Sequence, residues 1–211
     1  MSAGRLLVFG AGGHGRVVAD AAEAGGRWSE IAFVDDKYPS LLVSGDYPVV
    51  GASSDIFSLQ KSWDAMVIAV GDNKLRLELQ QKASSHGFAI ATIVHPSAQI
   101  ARQVAIGEGS VVLANAVINT GSRLGKGVIL NTSATIDHDG MVGDGVHISP
   151  GAHLAGGVVV ADNAWVGIGA VIINGINIGE DATVAAGASV IRDVAAGQVV
   201  AGVPAMVLNN G

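Results

Sequence analysis

The segment Ile136-Asp137-His138-Asp139-Gly140 sets a histidine between two carboxylates, in a stretch otherwise made of small and aliphatic residues. A neighbouring carboxylate orients an imidazole and stabilises its charged form, which is what a general base requires. His95, His147 and His153 lie in the same half of the chain, and His14 and His86 in the other. A second constellation lies near the N-terminus. Gly10-Ala11-Gly12-Gly13-His14-Gly15 follows an apolar run, and Asp35 stands twenty residues after Gly15. This is the spacing of a phosphate-binding turn. The first glycine makes the turn, the second (Gly12) admits a phosphate to the backbone, and the third lets the helix pack. The helix N-terminus then favours an anion. Solvent exposure of His14 at the helix start and contact with a phosphate or sugar are both compatible with this position.

The elements that must hold these residues differ between the two halves. From Val94 to Val190, every sixth residue is aliphatic, and most are β-branched. Four residues after most anchors stands a small side chain, as at Ala98, Ser110, Ala134 and Ala170. Glycine often follows the anchor directly, as in Ile106-Gly107 and Val142-Gly143. Each unit reads as one short strand and one turn, with glycine free to take positive φ. Three units make a coil of 18 residues, and stacked coils share one aliphatic core. A parallel β-helix of about five coils is expected. Residues 18 apart then stack at about 4.8 Å. Gly156 falls one coil after His138, so its N–H can act as an oxyanion donor beside the candidate base. No two histidines of this half differ by 18. His147 is nine positions from His138, half a coil away, so the two would meet only across adjacent subunits. A three-histidine metal site is a rival reading, and it would need convergent ligands.

Before the β-helix, strands at 6–9, 31–34, 65–70 and 89–93 alternate with helices through Val17–Ala22 and Leu75–Ala83. This is a Rossmann-like βαβ pattern with a small parallel sheet. Two domains are expected, at residues 1–94 and 95–211. With only about 95 residues, the first is too short for a full dinucleotide fold, so a mononucleotide or nucleotide sugar fits better than NAD.

Composition narrows the function classes. The 211 residues carry 12 Lys and Arg against 18 Asp and Glu, a net charge of −6, so nucleic acid is not an expected partner. There is no cysteine, which excludes disulfides, thiolate metal sites and a cysteine nucleophile. The N-terminus lacks a signal-peptide pattern and no apolar run is long enough for a membrane span. A cytoplasmic protein is expected. Aliphatic richness at this size points to an oligomer.

The Gly-Ala-Gly-Gly-His-Gly start, the hexapeptide repeat, Asn131 with Asp137-His138-Asp139, and the run from His147 to Gly156 resemble the nucleotide-sugar acetyltransferases. The likeness is strongest to the bacterial enzymes that N-acetylate UDP-4-amino-4,6-dideoxy sugars in bacillosamine biosynthesis. Sialic-acid O-acetyltransferases and GDP-perosamine N-acetyltransferases are also similar. The resemblance implies a left-handed β-helix and a homotrimer with active sites between subunits. It implies acetyl-CoA as co-substrate, no metal, and His138 as base supported by Asp139. Asn131 and His147 would line the site, and Gly156 would donate to the acetyl carbonyl. His147, Ile168 and Ala186 would contact the coenzyme. Gly12, Gly13, His14, Asp35 and Asp36 would bind the nucleotide sugar. One departure is that Gly202-Val203-Pro204-Ala205 is followed by Met206, where such enzymes often carry a basic residue. The rival of another class is a non-catalytic trimer that binds nucleotide sugars.

Overall fold

A computed structural model describes residues 4–208 of the chain. It divides into two compact units, Met1–Pro96 and Ser97–Gly211.

In the first unit, strands β1 (Gly4–Phe9), β2 (Trp28–Val34), β3 (Val43–Ser44), β4 (Tyr47–Gly51), β5 (Ala65–Ile68) and β6 (Ala89–Ile90) form one sheet in the order β3-β4-β2-β1-β5-β6. β1 runs parallel to both β2 and β5. Leu6, Leu7 and Val8 of β1 are fully buried, as expected of a strand covered on both faces. Helix α1 (Gly13–Ala24) packs through Val18, Ala19, Ala21 and Ala22. The chain leaves β1 for β2 on one side and reaches β5 on the other. The crevice beyond the carboxyl ends of β1 and β5 is therefore a topological switch point, where ligands of such sheets bind.

Three details depart from the sequence pattern. The third strand stops at Ile68 rather than at residue 70, and the last is broken into Ala89–Ile90 and Ile93–Val94. The β3–β4 hairpin and the short helix α2 (Ile56–Leu59) were not visible in the periodicity. Helix α3 (Asn73–Ser85) buries Arg76, Gln80 and Ala83, while Leu75 is left exposed. Arg76 sets that register: its guanidinium donates to the carbonyls of Val70 (2.9 Å) and Gly71 (3.3 Å) and to Asn73 Oδ1 (2.9 Å).

The second unit is a parallel β-helix. Its strands are two residues long and recur every six residues from Gln99–Ile100 to Ser189–Val190. Each pairs in parallel with the strand 18 residues on, as in Val111↔Ile129, Val117↔Thr135 and Arg123↔Met141. Between Gln99 and Val190 the three sheets hold five, six and five rungs, against the five coils expected. The anchors Ile118, Leu130, Ile136, Ile148, Val166 and Val184 are fully buried, and so are Ala134, Ala152, Ala164 and Ala170 at the small positions. After Val190 the period shortens, and Thr183 pairs with Val199, 16 residues on.

The turn chemistry differs from the expectation. The positive φ angles fall three residues after each anchor, at Gln103, Gly109, Asn115, Gly121, Gly127, Ser133, Asp139 and onward to Gly187. Glycines directly after an anchor have ordinary φ and are needed for close approach instead. A Cβ on Gly167 would lie 2.6 Å from the Ala186 nitrogen in the next coil. Glycine thus serves inter-coil contact at one turn position and left-handed backbone at another.

In the first unit, Gly15 has the same kind of constraint. A Cβ there would collide with the Gly10 carbonyl oxygen. Gly15→Ala should force α1 off β1 and cost about 1–3 kcal/mol. The expected result is a fall of about 4 °C or more in the thermal midpoint, read by circular dichroism.

Candidate active site

The coil-to-coil ladder explains why the turn after Ile136 exposes functional groups. Along the β-helix, ladder N–H groups come from the residue before each anchor and from those one and three after it, as in Thr135, Asp137 and Asp139 around Ile136. The N–H two residues after an anchor points outside the ladder. His138 occupies that position, and its N–H donates to Asp137 Oδ1 at 2.8 Å. The same oxygen accepts from Asn119 Nδ2 at 2.8 Å. These two bonds hold the Asp137 carboxyl below the usual carboxylate range, with the His138 N–H the larger cause. Asp137 therefore braces the turn, whereas Asp139 serves the ring.

The His138 Nδ1 lies 2.9 Å from Asp139 Oδ2. Asp139 reaches it from a left-handed backbone, φ 58°, a conformation that Asp and Asn adopt more readily than most residues. The hydrogen bond to Asp139 raises the His138 pKa above 6.5, aided by the charges of Asp137 and Asp139. An Nδ1–H bonded to a carboxylate leaves Nε2 as the lone-pair nitrogen. His138 is 61% exposed, so this nitrogen can meet a substrate.

Nε2 faces Gly156, where a Cβ would collide with it. Gly156 is also two residues past an anchor, Leu154. Its carbonyl accepts from Gly175, but its N–H has no acceptor among the described residues. Base and free amide donor thus stand on adjacent coils, as the 18-residue spacing requires. Ile168 and Ala186 occupy the same turn position after Val166 and Val184 and form a second column, both exposed. Their N–H groups are likewise outside the ladder.

Asn131 and His147 meet on a different sheet, with Asn131 Nδ2 3.2 Å from His147 Nε2. His147 stacks on Trp165, centroids 5.7 Å apart and planes within 6°. Trp165 Nε1 donates to Ser149 Oγ at 2.8 Å. Sequence reasoning missed Trp165, although it stands one coil after His147. The structure therefore assembles two groups within one chain, His138 with Asp139 and Gly156, and Asn131 with His147 and Trp165. His153 is an exposed residue bonded to Thr135 Oγ1 at 2.9 Å. Among the described residues, no three His, Asp or Glu side chains converge as a metal site.

In the first unit the glycine turn sits at the switch point. Gly10 has φ 101°, and nothing lies within 4 Å of where a Cβ on Gly12 or Gly13 would stand. That space is the room a phosphate would need above the start of α1. Asp35 is committed to the turn, because Oδ2 accepts from the Ala11 N–H at 2.8 Å and Oδ1 from the Lys37 N–H at 3.0 Å. Asp36 accepts from the Ser53 N–H at 2.8 Å, and its bonds to Ser53 lower its pKa. His14 is half-buried. Its Nε2 is buried without a protein partner, and burial, then the nearby Arg76 charge, push its pKa down to about 4. Sequence reasoning did not flag Arg76, whose side chain is fully buried beside this turn.

Residues 5–83 match the PglD N-terminal domain family. A curated relative, UDP-N-acetylbacillosamine N-acetyltransferase of Bacillus subtilis (strain 168), is 35% identical over 111 residues. That match spans 52% of this chain and about half, 51%, of the relative. The acetyltransferase domain of PglB from Neisseria gonorrhoeae FA1090, solved in complex with acetyl coenzyme A, is 41% identical with a TM-score of 0.93. The match covers 97% of this chain and 98% of that one. PerB from Caulobacter crescentus, solved with CoA and GDP-perosamine, is 38% identical with a TM-score of 0.92 and 98% coverage of both chains. With this likeness running through both units, the chain belongs to the family of hexapeptide-repeat sugar N-acetyltransferases.

Proposed function

We propose that this protein transfers the acetyl group of acetyl-CoA to the 4-amino group of a UDP-4-amino-4,6-dideoxy-N-acetylhexosamine. The observation that carries the chemistry is His138 Nε2 facing Gly156, with Nδ1 tied to Asp139. The neutral amine attacks the thioester carbonyl carbon, and the Gly156 N–H stabilises the oxyanion. His138 Nε2 takes the proton that the amine loses. The C–S bond then breaks, and the CoA sulfur leaves and is protonated. No acyl-enzyme is involved. The UDP sugar is favoured by the match to the UDP-N-acetylbacillosamine enzyme and to the PglD N-terminal domain. The first unit holds the nucleotide sugar through the Gly12–Gly13 turn and His14, with Asp35 and Asp36 bracing the loops around them, while Ile168 and Ala186 flank the pantetheine arm. Acetyl-CoA as donor supports a cytoplasmic setting, and among the described residues no helix is long and apolar enough to cross a membrane.

Release of CoA from acetyl-CoA with this UDP sugar, with GDP-perosamine and with sialic acid tests the reading. Turnover with the UDP sugar alone is expected. Turnover only with another acceptor would move the substrate, and silence with all three would favour a non-catalytic binder.

Asn131 and His147 lie on a different sheet from His138, which supports a homotrimer whose sites take His138 from one subunit and His147 from its neighbour. Mixed trimers test this. His138→Ala and His147→Ala subunits, each weakly active alone, should regain about a quarter of wild-type activity when refolded together at equal ratio, since a random cyclic trimer pairs the two intact residues at that frequency. No regain would place both histidines in one subunit's site.

Asp139→Asn isolates the role of that carboxylate. Asp139 raises the His138 pKa, so in the wild type the unprotonated base is lost as pH falls through a value above 6.5. In the Asp139→Asn variant the acid limb of kcat/KM should move to lower pH, and the plateau kcat should fall about tenfold. Asn fits the left-handed turn, so folding is preserved. An unmoved limb would contradict the assignment.

A further inference from the structure

The buried guanidinium of Arg76 has no part in the chemistry described above. Burying a guanidinium is costly before its bonds are counted, so its place at the switch point calls for a reason. Its fork spans the turn between β5 and α3, donating to Val70 O, Gly71 O and Asn73 Oδ1. Its charge also bears on His14, in the first turn of α1. Arg76 thus braces the β5–α3 turn at the edge of the crevice beyond β1 and β5, within electrostatic reach of the glycine turn. His14 Nε2 is buried with no protein partner. Buried polar nitrogens in folded proteins are nearly always bonded, to protein, water or ligand, so this one is a candidate ligand contact. Beside it are the open space at Gly12–Gly13 and the N-terminus of α1. A neutral imidazole N–H, a helix N-terminus and a buried cation together favour an anionic acceptor.

We propose that Arg76 is a positioning residue for the diphosphate of the nucleotide substrate, fixing the Val70-Gly71 turn and keeping a cation near His14 so that His14 Nε2–H and the Gly12–Gly13 backbone converge on one phosphate. This rests on the nucleotide-sugar reading of the first unit and assigns the phosphate recognition within it. Arg76 acts through its neighbours, since its own side chain is fully buried. Lysine would keep the charge but not the fork.

The test compares wild type with Arg76→Met, Arg76→Lys and Asn73→Ala. Binding of UDP and GDP is measured by calorimetry, independently of turnover, alongside steady-state kinetics. The expected result is tenfold or greater weakening of diphosphate binding in both Arg76 variants. The KM for the nucleotide sugar should rise equally, with kcat at saturation and the KM for acetyl-CoA within twofold of wild type. Asn73→Ala, which removes one acceptor and leaves the cation in place, should weaken binding two- to fivefold, and it carries the test if the Arg76 variants do not fold. Unchanged diphosphate binding in folded variants would overturn the proposal. So would a fall in kcat at unchanged KM, or failure of the wild type to bind either diphosphate. Diphosphate binding that weakens as expected in a protein that acetylates none of the acceptors would uphold this role for Arg76 while refuting the acetyl-transfer reading.

Discussion

Replacing His138 with alanine should lower kcat by roughly 10²–10⁴-fold, the range a positioned general base contributes. The fold should survive, because His138 is 61% exposed and its ring packs in no core. Its backbone N–H, which holds Asp137, is retained in the variant. The KM values for acetyl-CoA and for the sugar should stay within a few-fold. An effect concentrated in kcat separates a base from a binding residue, because it reports an interaction made in the transition state. A His138→Ala enzyme at full turnover would remove the base from the account.

Gly156→Ala should be nearly as damaging, although it adds only one methyl group. Gly156 does not need a left-handed backbone, so alanine is compatible with the coil. The added Cβ would occupy the place of His138 Nε2. The exposed ring would swing aside at little cost in stability, and the base would leave its position beside the amide donor. A fall in kcat of about 10²–10³-fold is expected, the scale of losing an oxyanion contact or the alignment that uses it. The melting temperature should change by no more than a few degrees. Loss of folding in place of loss of turnover would mean that Gly156 is there for the coil and not for the site.

These two residues were legible in the sequence because the β-helix converts spacing into position. A step of six places every anchor in one core, and a step of 18 stacks His138 against Gly156 with no other information. The same rule would have found Trp165 from His147. The site in the first unit was less legible. The glycine spacing located the turn, but not which of its neighbours brace it. Asp35 has the spacing of a nucleotide-sugar ligand, yet both its oxygens accept backbone N–H groups of the turn region. The helical pattern gave no sign that Arg76 would be buried while Leu75 stays exposed. The carbonyls of Val70 and Gly71, just after β5, offer the guanidinium acceptors that no local pattern reveals. The left-handed turn positions were hidden for a related reason. Gln103, Asn115, Ser133 and Asp181 hold them as well as glycines do, so composition alone pointed to the wrong glycines.

The proposed reaction moves an acetyl group from sulfur to a sugar amine. The direct measurement is the fate of labelled acetyl from acetyl-CoA in a reaction with the UDP-4-amino-4,6-dideoxy sugar, followed by mass spectrometry of the sugar and the protein. One acetamide is expected per free CoA thiol, on the 4-amino nitrogen, with no label on the protein. Label on the protein, an acetyl ester on a hydroxyl, or thiol release without labelled sugar would contradict it.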